Sequence, residues 1–347
     1  MPSSLFPPQR PEKKPRARAG HGPTLSDVAK VAGVSPMSAS RAINAPEQVS
    51  AEILAKVSAA VESTGYVANR LASSLASSRS RLVAAIIPSI AGPVFQDMVQ
   101  ALITELAAAG HQLILGQSGY GAQREDHLLD ALIGRRPDGI VLGGVLPSEA
   151  GRKRLMASGI PVVETWDWVA DPIDMVVGFS HERIAQAVAA FLIGKGCRHL
   201  AFIGGQHERA QRRAAAFEAA ARAFGIDVLT HAVAAPAGVG SGREALRHIL
   251  AKQPDTDAVF CSSDVLAWGV VTEAGHLGLP VPAALKVVGF GDLPFARDVL
   301  PSITSVYIDA QAIGRHAARF IVEHGQAQTR AGTHIDMGFH IIERDTA

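Results

Sequence analysis

The side chains whose types and spacing could read a nucleic acid lie in the segment TLSDVAKVAGVSPMSASRAIN, residues 24–44. Thr24 is placed to cap a first short helix, and Asp27 is placed to answer its backbone N–H. After a glycine, Ser35 is placed to cap a second helix with Pro36 at its first position, where a missing N–H is harmless. The leading turns of the second helix would form the part that enters a DNA major groove. They carry Pro36, Met37, Ser38 and Arg41.

Two short capped helices joined by a glycine also occur in helical domains that never contact nucleic acid, so the charge of the surrounding chain matters. The first 80 residues contain ten Lys or Arg against five Asp or Glu, a net charge of +5. The whole chain carries +1, so the remaining residues sum to −4. A basic head joined to a mildly acidic body favours phosphate contact by the head.

A second group of side chains with chemical potential follows the apolar runs of the later sequence. Carboxylates and an indole come directly after such runs, at Glu164, Trp166, Asp167, Asp264 and Asp292. Arginines follow another run, HLAFIGG, at Arg209, Arg212 and Arg213. If the runs are parallel strands, these side chains meet outside the carboxyl edge of a sheet, where ligands bind. Such a cleft would suit a small polyhydroxylated ligand, and arginine would suit a carboxylate on it.

Each of these residues also has a purely structural interpretation. Asp264 could cap the helix that follows it, Asp292 could stabilise a turn, and Trp166 could fill the core. The three arginines could form a solvent-exposed helix face. The residues by themselves leave both interpretations open.

The elements that must position these side chains follow two patterns. Ser50 can cap a third helix, so residues 23–67 form a small helical head. Residues 68–80 are rich in Ser and Ala and are expected to form a hinge. From Leu82 onward, short aliphatic runs alternate with amphipathic stretches in two successive series, which is the βαβ pattern. The body is therefore predicted to contain two similar parallel-sheet halves.

Length and composition limit the class of protein. At 347 residues and 48% hydrophobic, the chain is too long for one ordinary core, so we expect two or three domains. Cys197 and Cys261 have no neighbouring Cys or His at ligand spacing, which indicates neither a disulfide framework nor a metal site and favours a reducing cytoplasm. No membrane-length apolar run or signal-peptide pattern occurs, and the basic residues 1–22 are expected to form a disordered arm.

Taken together, these motifs resemble the LacI/GalR family of bacterial transcription regulators from about Pro23 to Phe339. The segment 24–44, the VS pair at 49 and 50, and GYVANRLASSLASS follow the family's head and hinge. VVGFGDLP and VFCSSDVLAWG match its core. PEQVS, ETWD at 164–167 and VVGFSH at 176–181 are most similar to the gluconate-operon repressor subgroup.

The resemblance implies an N-terminal all-α helix-turn-helix head with a hinge helix, joined to an α/β core of two Rossmann-like parallel-sheet subdomains. This core, residues 81–340, would resemble the periplasmic binding proteins and would carry ligand binding and dimerisation. One subdomain is expected at about 81–180 plus 309–335. The other is expected at about 181–308 plus the last strand.

The resemblance places DNA contacts on the head and hinge. Pro36 and Met37 stand where the family often has polar side chains, so thymine methyl groups and DNA shape are expected to matter more than hydrogen bonds. Arg41 becomes the chief candidate for a guanine contact. Leu75 matches an apolar wedge that would enter the minor groove of the operator and kink it. The full set of expected contacts is Thr24, Leu25, Ser35, Pro36, Met37, Ser38, Arg41, Asn44, Ser50, Asn69, Ala72 and Leu75.

The resemblance also implies an effector site in the cleft between the subdomains. Arg213 and Asp264 match positions that commonly hold ligands, and three aromatic residues fall near positions that line the pocket. Arg212 leaves the register of the arginine open by one residue. With the strand-end carboxylates, the predicted effector site comprises Phe95, Glu164, Trp166, Asp167, Phe179, Arg213 and Asp264.

The function implied is a cytoplasmic homodimeric repressor of gluconate-type catabolism genes. It would leave a palindromic operator when a sugar or sugar acid such as gluconate binds, and it would need no cofactor and no membrane. The chain ends soon after its last predicted strand without a heptad segment, which favours a dimer over a tetramer.

Other functions stay open on the residues alone. The ligand could be a neutral sugar or nucleoside-like molecule, or the chain could be a sugar-binding protein of the periplasmic type without DNA function. An enzyme is disfavoured because no H-E-x-x-H, G-x-S-x-G or P-loop motif occurs. Gly238, Gly240 and Gly242 match dinucleotide binding only weakly and are expected to form a flexible turn before a helix from Arg243.

Overall fold

The computed structural model describes residues 22–67, 80–90, 93–119, 122–145, 148–324 and 332–347. The chain divides into two compact units between Ser80 and Arg81. Nearly all of the predicted arm and of the predicted hinge lies outside the described residues.

Residues 22–67 of the first unit fold into α1 (Leu25–Ala32), α2 (Pro36–Asn44) and α3 (Ala51–Thr64). A short 3-10 turn, Pro46–Gln48, lies between α2 and α3. The helices bury small and β-branched side chains against one another, which lets the backbones approach closely within so short a chain. These core residues are Val28, Ala29, Ala39, Ala42, Val57 and Ala60.

The predicted helix starts are confirmed atom by atom. The Thr24 hydroxyl accepts the N–H of Asp27 at 3.3 Å, and the Asp27 carboxylate accepts the N–H of Thr24 at 2.8 Å. The Ser35 hydroxyl accepts the N–H of Ser38 at 3.1 Å and so caps α2. Gly33 ends α1 with a φ of 65°, a left-handed conformation that favours glycine.

The described residues of the second unit form two sheets of six strands each. The strands of the first sheet are β1 (Leu82–Ile87), β2 (Gln112–Gln117), β3 (Gly139–Leu142), β4 (Val162–Thr165), β5 (Met175–Gly178) and β11 (Thr333–Asp336). Their order is β11-β5-β4-β3-β1-β2, and every neighbouring pair is parallel.

The second sheet repeats this plan with one reversed strand at its edge. Its strands are β6 (Leu200–Gly205), β7 (Val228–Val233), β8 (Ala258–Cys261), β9 (Lys286–Gly291), β10 (Thr304–Tyr307) and β12 (His340–Ile342). The order is β12-β10-β9-β8-β6-β7, with β12 antiparallel to β10 and the other pairs parallel.

Helices cover the sheets, so the central strands β3, β4, β5 and β8 are buried along their whole length, as parallel sheets require. The helices are α4 (Gln96–Ala108), α5 (Ala122–Ile133), α6 (Glu149–Ser158), α7 (His181–Gly194), α8 (Glu208–Arg222), α9 (Val239–Lys252), α10 (Asp264–His276) and α11 (Ala310–His324). In the part of the chain that the structure describes, none of them combines the length and apolarity needed to cross a membrane. The predicted α/β core of two parallel-dominated sheets is confirmed.

The prediction of a flexible glycine turn at residues 238–242 is wrong. Helix α9 already begins at Val239, so Gly240 and Gly242 lie inside it. A Cβ atom on Gly242 would overlap the carbonyl oxygen of Leu266, and one on Gly269 would overlap that of Val239. These glycines therefore let the backbones of α9 and α10 touch.

Candidate functional site

The start of helix α2 presents the side chains that were predicted to read DNA. Pro36, Met37 and Arg41 are exposed, and Met37 leaves 66% of its surface open to solvent. Ser38 is half-buried beside the capping residue Ser35. The start of α2 thus offers apolar contacts from the Pro36 ring and the Met37 thioether, and several hydrogen-bond donors from the Arg41 guanidinium.

Three further residues of the predicted DNA-contact set have local partners. The exposed Ser50 hydroxyl accepts a first-turn N–H of α3 at 3.4 Å. Leu25 is half-buried and packs against the core of the head. The Asn44 side chain donates to the carbonyl of Ser40 at 3.0 Å, so it reaches a base only by exchanging that bond. Asn69, Ala72 and Leu75 lie outside the described residues.

The charge of the head differs from that of the segments around it. Residues 22–67 carry three Lys or Arg against four Asp or Glu, a net charge of −1. Residues 1–21 carry +4 and residues 68–80 carry +2. The basic excess of the first 80 residues therefore belongs to the segments that flank the three helices, and the helices themselves are nearly neutral.

A chain of buried aromatic rings connects elements of the two sheets in the second unit. Phe95 follows β1, Trp166 follows β4, Phe179 follows β5, and Phe290 lies on β9. The Trp166 ring lies 5.2 Å from Phe95 and 5.7 Å from Phe179, both edge to face, and Phe179 lies 6.1 Å from Phe290. The three predicted pocket aromatics are thus brought together, and a fourth ring, on the second sheet, joins them.

Trp166 holds an unusual backbone conformation in this cluster. Its φ is 60°, a region that bulky residues rarely occupy and that tends to mark functional segments. The indole N–H donates to the sulfur of Met98 at 3.0 Å, and Met98 lies on α4. The side chain of Trp166 therefore ties the segment after β4 to α4.

Arg213, on α8, lies beside the aromatic chain and is almost completely buried, with 3% of its surface exposed. Its guanidinium carbon stands 4.3 Å from the centre of the Phe290 ring. One terminal nitrogen, Nη1, lies 2.9 Å from Nδ1 of His181, and the other donates to the carbonyl of Ser262 at 3.4 Å. The Nε atom is buried without a hydrogen-bond partner among the described residues.

The positive charge of Arg213 has no carboxylate partner within 4.0 Å among the described residues. Burial, reinforced by the nearby Arg209 cation, lowers the pKa of Arg213 from its ordinary value to about 9. At neutral pH the side chain is still charged. The site therefore contains a buried cation whose immediate partners are neutral.

Arg212 has the opposite surroundings, although it is the next residue. It pairs with the buried Asp167, which follows β4, and with Glu182 at 3.3 Å. A third carboxylate, that of Glu208, stands 3.9 Å away. Of the two arginines, only Arg213 points toward the aromatic chain without an acidic partner, whereas Arg212 and Asp167 satisfy each other.

Glu164 does not join the other predicted effector residues. It lies on the opposite face of β4 from the buried Val163, accepts the N–H of Ile173 at 2.9 Å, and approaches Arg152 of α6 at 3.7 Å. Burial raises the pKa of this carboxyl group. The strand-end argument failed at this position because alternate residues of a strand point to opposite faces of the sheet.

Asp264 is fully buried, and both of its carboxylate oxygens are engaged within the second sheet. One accepts the hydroxyl of Ser305, and the other accepts the N–H of Leu293 at 2.7 Å. Burial raises its pKa to about 6. The predicted alternative of a helix cap is wrong, since Ser263 caps α10 and Asp264 is its first residue.

Sequence reasoning assigned no ligand role to His181 and Phe290 and gave Arg209 no specific one. Arg209 of α8 donates to the carbonyl of Gly143, which follows β3, at 2.9 Å, and its guanidinium lies 5.7 Å from the Phe95 ring. His181 could have been found as the polar residue that comes directly after the Phe179–Ser180 pair, which follows β5. Phe290 gave no signal, because an aromatic residue inside an apolar strand resembles ordinary core.

Comparison with known proteins identifies the family. Residues 24–69 match the model of bacterial regulatory proteins of the lacI family, and residues 189–347 match a periplasmic binding protein-like domain. The HTH-type transcriptional regulator GntR of Pseudomonas aeruginosa is 35% identical over 330 residues, which are 93% of this chain and 95% of the relative. The chain belongs to the LacI family.

Other relatives of this LacI-family chain agree with the match. The regulator GntR of Escherichia coli is 30% identical over 318 residues, covering 91% of this chain and 96% of the relative. A LacI-family transcriptional regulator from Silicibacter pomeroyi has a solved structure with a TM-score of 0.86 and 31% identity, covering 93% of this chain and 98% of that one. This LacI-family chain is therefore a DNA-binding transcriptional regulator with a helix-turn-helix head. The members of its family are not enzymes.

Proposed function

We propose that this regulator represses genes for the catabolism of a sugar acid, of the gluconate type, and leaves its operator when that acid binds the cleft. The observation that carries the proposal is the buried cation of Arg213, which has an uncommitted Nε–H and no carboxylate partner among the described residues. An isolated buried charge is unfavourable until an opposite charge with hydrogen-bonding geometry reaches it. A ligand carboxylate would supply both.

The relatives of this chain support a sugar acid over a neutral sugar, while the aromatic rings would suit the carbon chain of either ligand. The segments PEQVS, ETWD and VVGFSH resemble the gluconate-operon repressor subgroup, and the two curated relatives described above are named GntR. Phe95, Trp166 and Phe179 would form an apolar wall for the carbon chain of the ligand. A neutral sugar would leave the charge of Arg213 unanswered.

On this proposal the protein acts as a cytoplasmic homodimer whose two heads read the half-sites of a near-palindrome. Residues 1–22 form a basic arm, 23–67 the reading head, 68–80 a hinge helix that orders on the operator, and 81–340 the effector-binding and dimerising core. Leu75 would wedge into the minor groove, with Asn69 and Ala72 as its neighbours in the hinge. The positive charge of the flanking segments would supply the phosphate contacts that the nearly neutral helices do not.

The effector acts through the difference between its affinities for two states of the core. If gluconate binds more tightly to a form of the core that separates the hinges, operator affinity falls by that same factor and no further. Arg213, Asp167 and the aromatic residues would make the differential contacts. Asp264 would contribute by holding the turn at Leu293 rather than through a free oxygen.

A titration of gluconate against a labelled operator tests the proposal. The operator duplex is first selected by the full-length chain from a random pool, and gluconate is then added up to millimolar concentration. We expect release of the DNA by the unmodified chain, and Arg213→Ala is expected to hold the operator at every gluconate concentration. Unchanged DNA binding by the unmodified chain would exclude gluconate, and loss of operator binding by Arg213→Ala would refute the role given to that residue.

Removing residues 1–80 separates the two activities. The shortened chain is expected to lose DNA binding and to keep its affinity for gluconate, measured by calorimetry. A truncated chain that still binds the operator would contradict the division of labour between head and core.

A further inference from the structure

His181 lies between Arg213 and the aromatic rings of the candidate site, and the proposed function gives it no contact with the ligand. It is the first residue of α7, only 2% of its surface is exposed, and its ring packs 5.1 Å from Phe179 and 6.3 Å from Phe290. Nδ1 lies 2.9 Å from Nη1 of Arg213, and Nε2 lies 3.2 Å from the carbonyl oxygen of Trp166. One imidazole thus joins the buried arginine of α8 to the segment that follows β4.

These two partners fix both the tautomer and the charge of the ring. A guanidinium nitrogen can only donate, so Nδ1 of His181 must be the acceptor. A carbonyl oxygen can only accept, so Nε2 must carry the proton. Burial, together with the positive charge of Arg213, holds the pKa of His181 well below its ordinary value of 6.5. The ring is therefore a neutral acceptor on one side and a donor on the other.

The same contacts determine which edge of Arg213 is left for a ligand. Nη1 is directed at His181, Nη2 at the carbonyl of Ser262, and one face of the guanidinium at Phe290. These bonds use one N–H of each terminal nitrogen, and Nε is the one guanidinium nitrogen that has no partner at all among the described residues. A neutral acceptor can hold the guanidinium in this orientation without cancelling its charge, whereas a carboxylate in the same place would compete with the ligand.

We propose that His181 is the positioning residue of the effector site, which orients Arg213 toward a ligand carboxylate through Nδ1 and links that arginine to the Trp166 segment through Nε2. The inference rests on the proposed function of the cleft. His181 stands on the helix that precedes β6 of the second sheet and Arg213 on the helix that follows it, whereas Trp166 follows β4 of the first sheet. Through the imidazole, a movement of Arg213 in one half of the core would therefore be transmitted to the Trp166 segment in the other half.

Amide side chains separate the two bonds of the ring. In His181→Asn, the side-chain oxygen stands near the position of Nδ1, which keeps the acceptor for Arg213 and loses the bond to Trp166. In His181→Gln, the longer side chain places its N–H₂ near the position of Nε2, which keeps the donor to Trp166 and loses the acceptor. His181→Phe keeps the ring packing and loses both bonds. His199→Asn, at a half-exposed histidine paired with Asp255, serves as the matched control.

Gluconate affinity and operator release are measured on each full-length variant, by calorimetry and by titration of a labelled operator. His181→Asn is expected to bind gluconate within about threefold of the unmodified chain, while His181→Gln and His181→Phe bind about tenfold more weakly or worse. At saturating gluconate, His181→Gln is expected to release the operator, whereas His181→Asn and His181→Phe retain it. A role in packing alone would weaken Asn and Gln alike and leave Phe unchanged, and that result would overturn the proposal.

A spectroscopic measurement tests the positioning role without any ligand. In the full chain labelled with ¹⁵N-histidine, the His181 signals, identified by their loss in His181→Phe, should show a neutral ring protonated at Nε2 at pH 6.5. Arg213→Met should shift the Nδ1 signal, because it removes the donor to that atom. A protonated ring or a proton on Nδ1 would refute the proposal. If the ring has the expected state but the unmodified chain ignores gluconate, the choice of gluconate fails and the positioning role stands.

Discussion

The two adjacent arginines of α8 should respond in opposite ways to the same substitution. Arg213→Met removes a buried cation without an acidic partner, whereas Arg212→Met removes the partner of a buried carboxylate, Asp167. The lowering of the pKa of Arg213 to about 9, caused by burial and by the nearby Arg209 cation, corresponds to a penalty of about 5 kcal/mol on its charged form. Because the cation is present at neutral pH, this penalty applies in full to the ligand-free protein.

In Arg213→Met, the penalty for burying the charge is removed, but the contact with Phe290 and two hydrogen bonds are lost, which offsets part of that gain in stability. We expect its free energy of unfolding to be unchanged or up to about 3 kcal/mol higher than that of the unmodified chain. Gluconate affinity should fall by about 2–5 kcal/mol, since a buried charge-assisted contact with the ligand is lost.

For Arg212→Met, Asp167 is left buried, and among the described residues the N–H of Trp168 is then its only hydrogen-bond partner. The free energy of unfolding should fall by about 1–3 kcal/mol. The preference for gluconate over glucose should persist, because Arg213 is intact. Urea denaturation without ligand and calorimetric titration with each sugar measure both quantities. Destabilisation by Arg213→Met with unchanged gluconate affinity would refute the assignment of the unpaired cation.

The remaining predictions concern the head and the second sheet. Arg41→Met should weaken operator binding by about 1–3 kcal/mol and relax the preference at one base position, and a uniform loss across all sequences in a binding selection would argue for a phosphate contact instead. Ser50→Ala should lower the stability of the head by about 1 kcal/mol in thermal denaturation, through loss of the cap on α3, and an unchanged midpoint would contradict that role. Asp264 has a folded-state pKa of about 6 against an ordinary 3.8, so its carboxyl group binds a proton more tightly in the folded state than in the unfolded state. Its contribution to the free energy of unfolding is therefore present in full at low pH and is lost as the pH rises through 6. The unfolding free energy of Asp264→Asn should therefore lack a decline of about 2 kcal/mol between pH 4 and pH 6.5 that the unmodified chain shows, and parallel pH profiles would contradict the raised pKa.

Local chemistry made the head predictable. The capping contacts of α1 and α2 join residues that are at most four positions apart. Spacing alone therefore predicts the roles of Thr24, Asp27, Gly33 and Ser35. The α/β core could be predicted because aliphatic runs alternate with amphipathic stretches. Helix α6 was not predicted, because its sequence EAGRKRLMAS buries only Gly151 and Leu155 and shows little hydrophobic periodicity. A helix held mainly by the sheet beneath it leaves a weak pattern in the sequence.

The candidate site was only partly predictable for a related reason. Residue types and their positions after predicted strands indicated Arg213, Trp166 and Asp167. The face of β4 on which Glu164 lies could not be predicted in this way, because it depends on the register of the sheet. Which of two adjacent arginines has acidic partners depends on contacts with residues about 30–45 positions away. Such long-range pairings are properties of the fold.

The reciprocal coupling between operator and effector tests the central claim most directly. If one cleft controls one DNA-binding state, saturating gluconate must weaken operator binding by the same factor by which saturating operator weakens gluconate binding. Both factors can be measured on the full-length chain, by fluorescence anisotropy with labelled DNA and by calorimetry with gluconate, with glucose in parallel. We predict equal factors for gluconate and no coupling for glucose. Operator affinity that gluconate leaves unchanged, or that glucose lowers equally, would contradict the account.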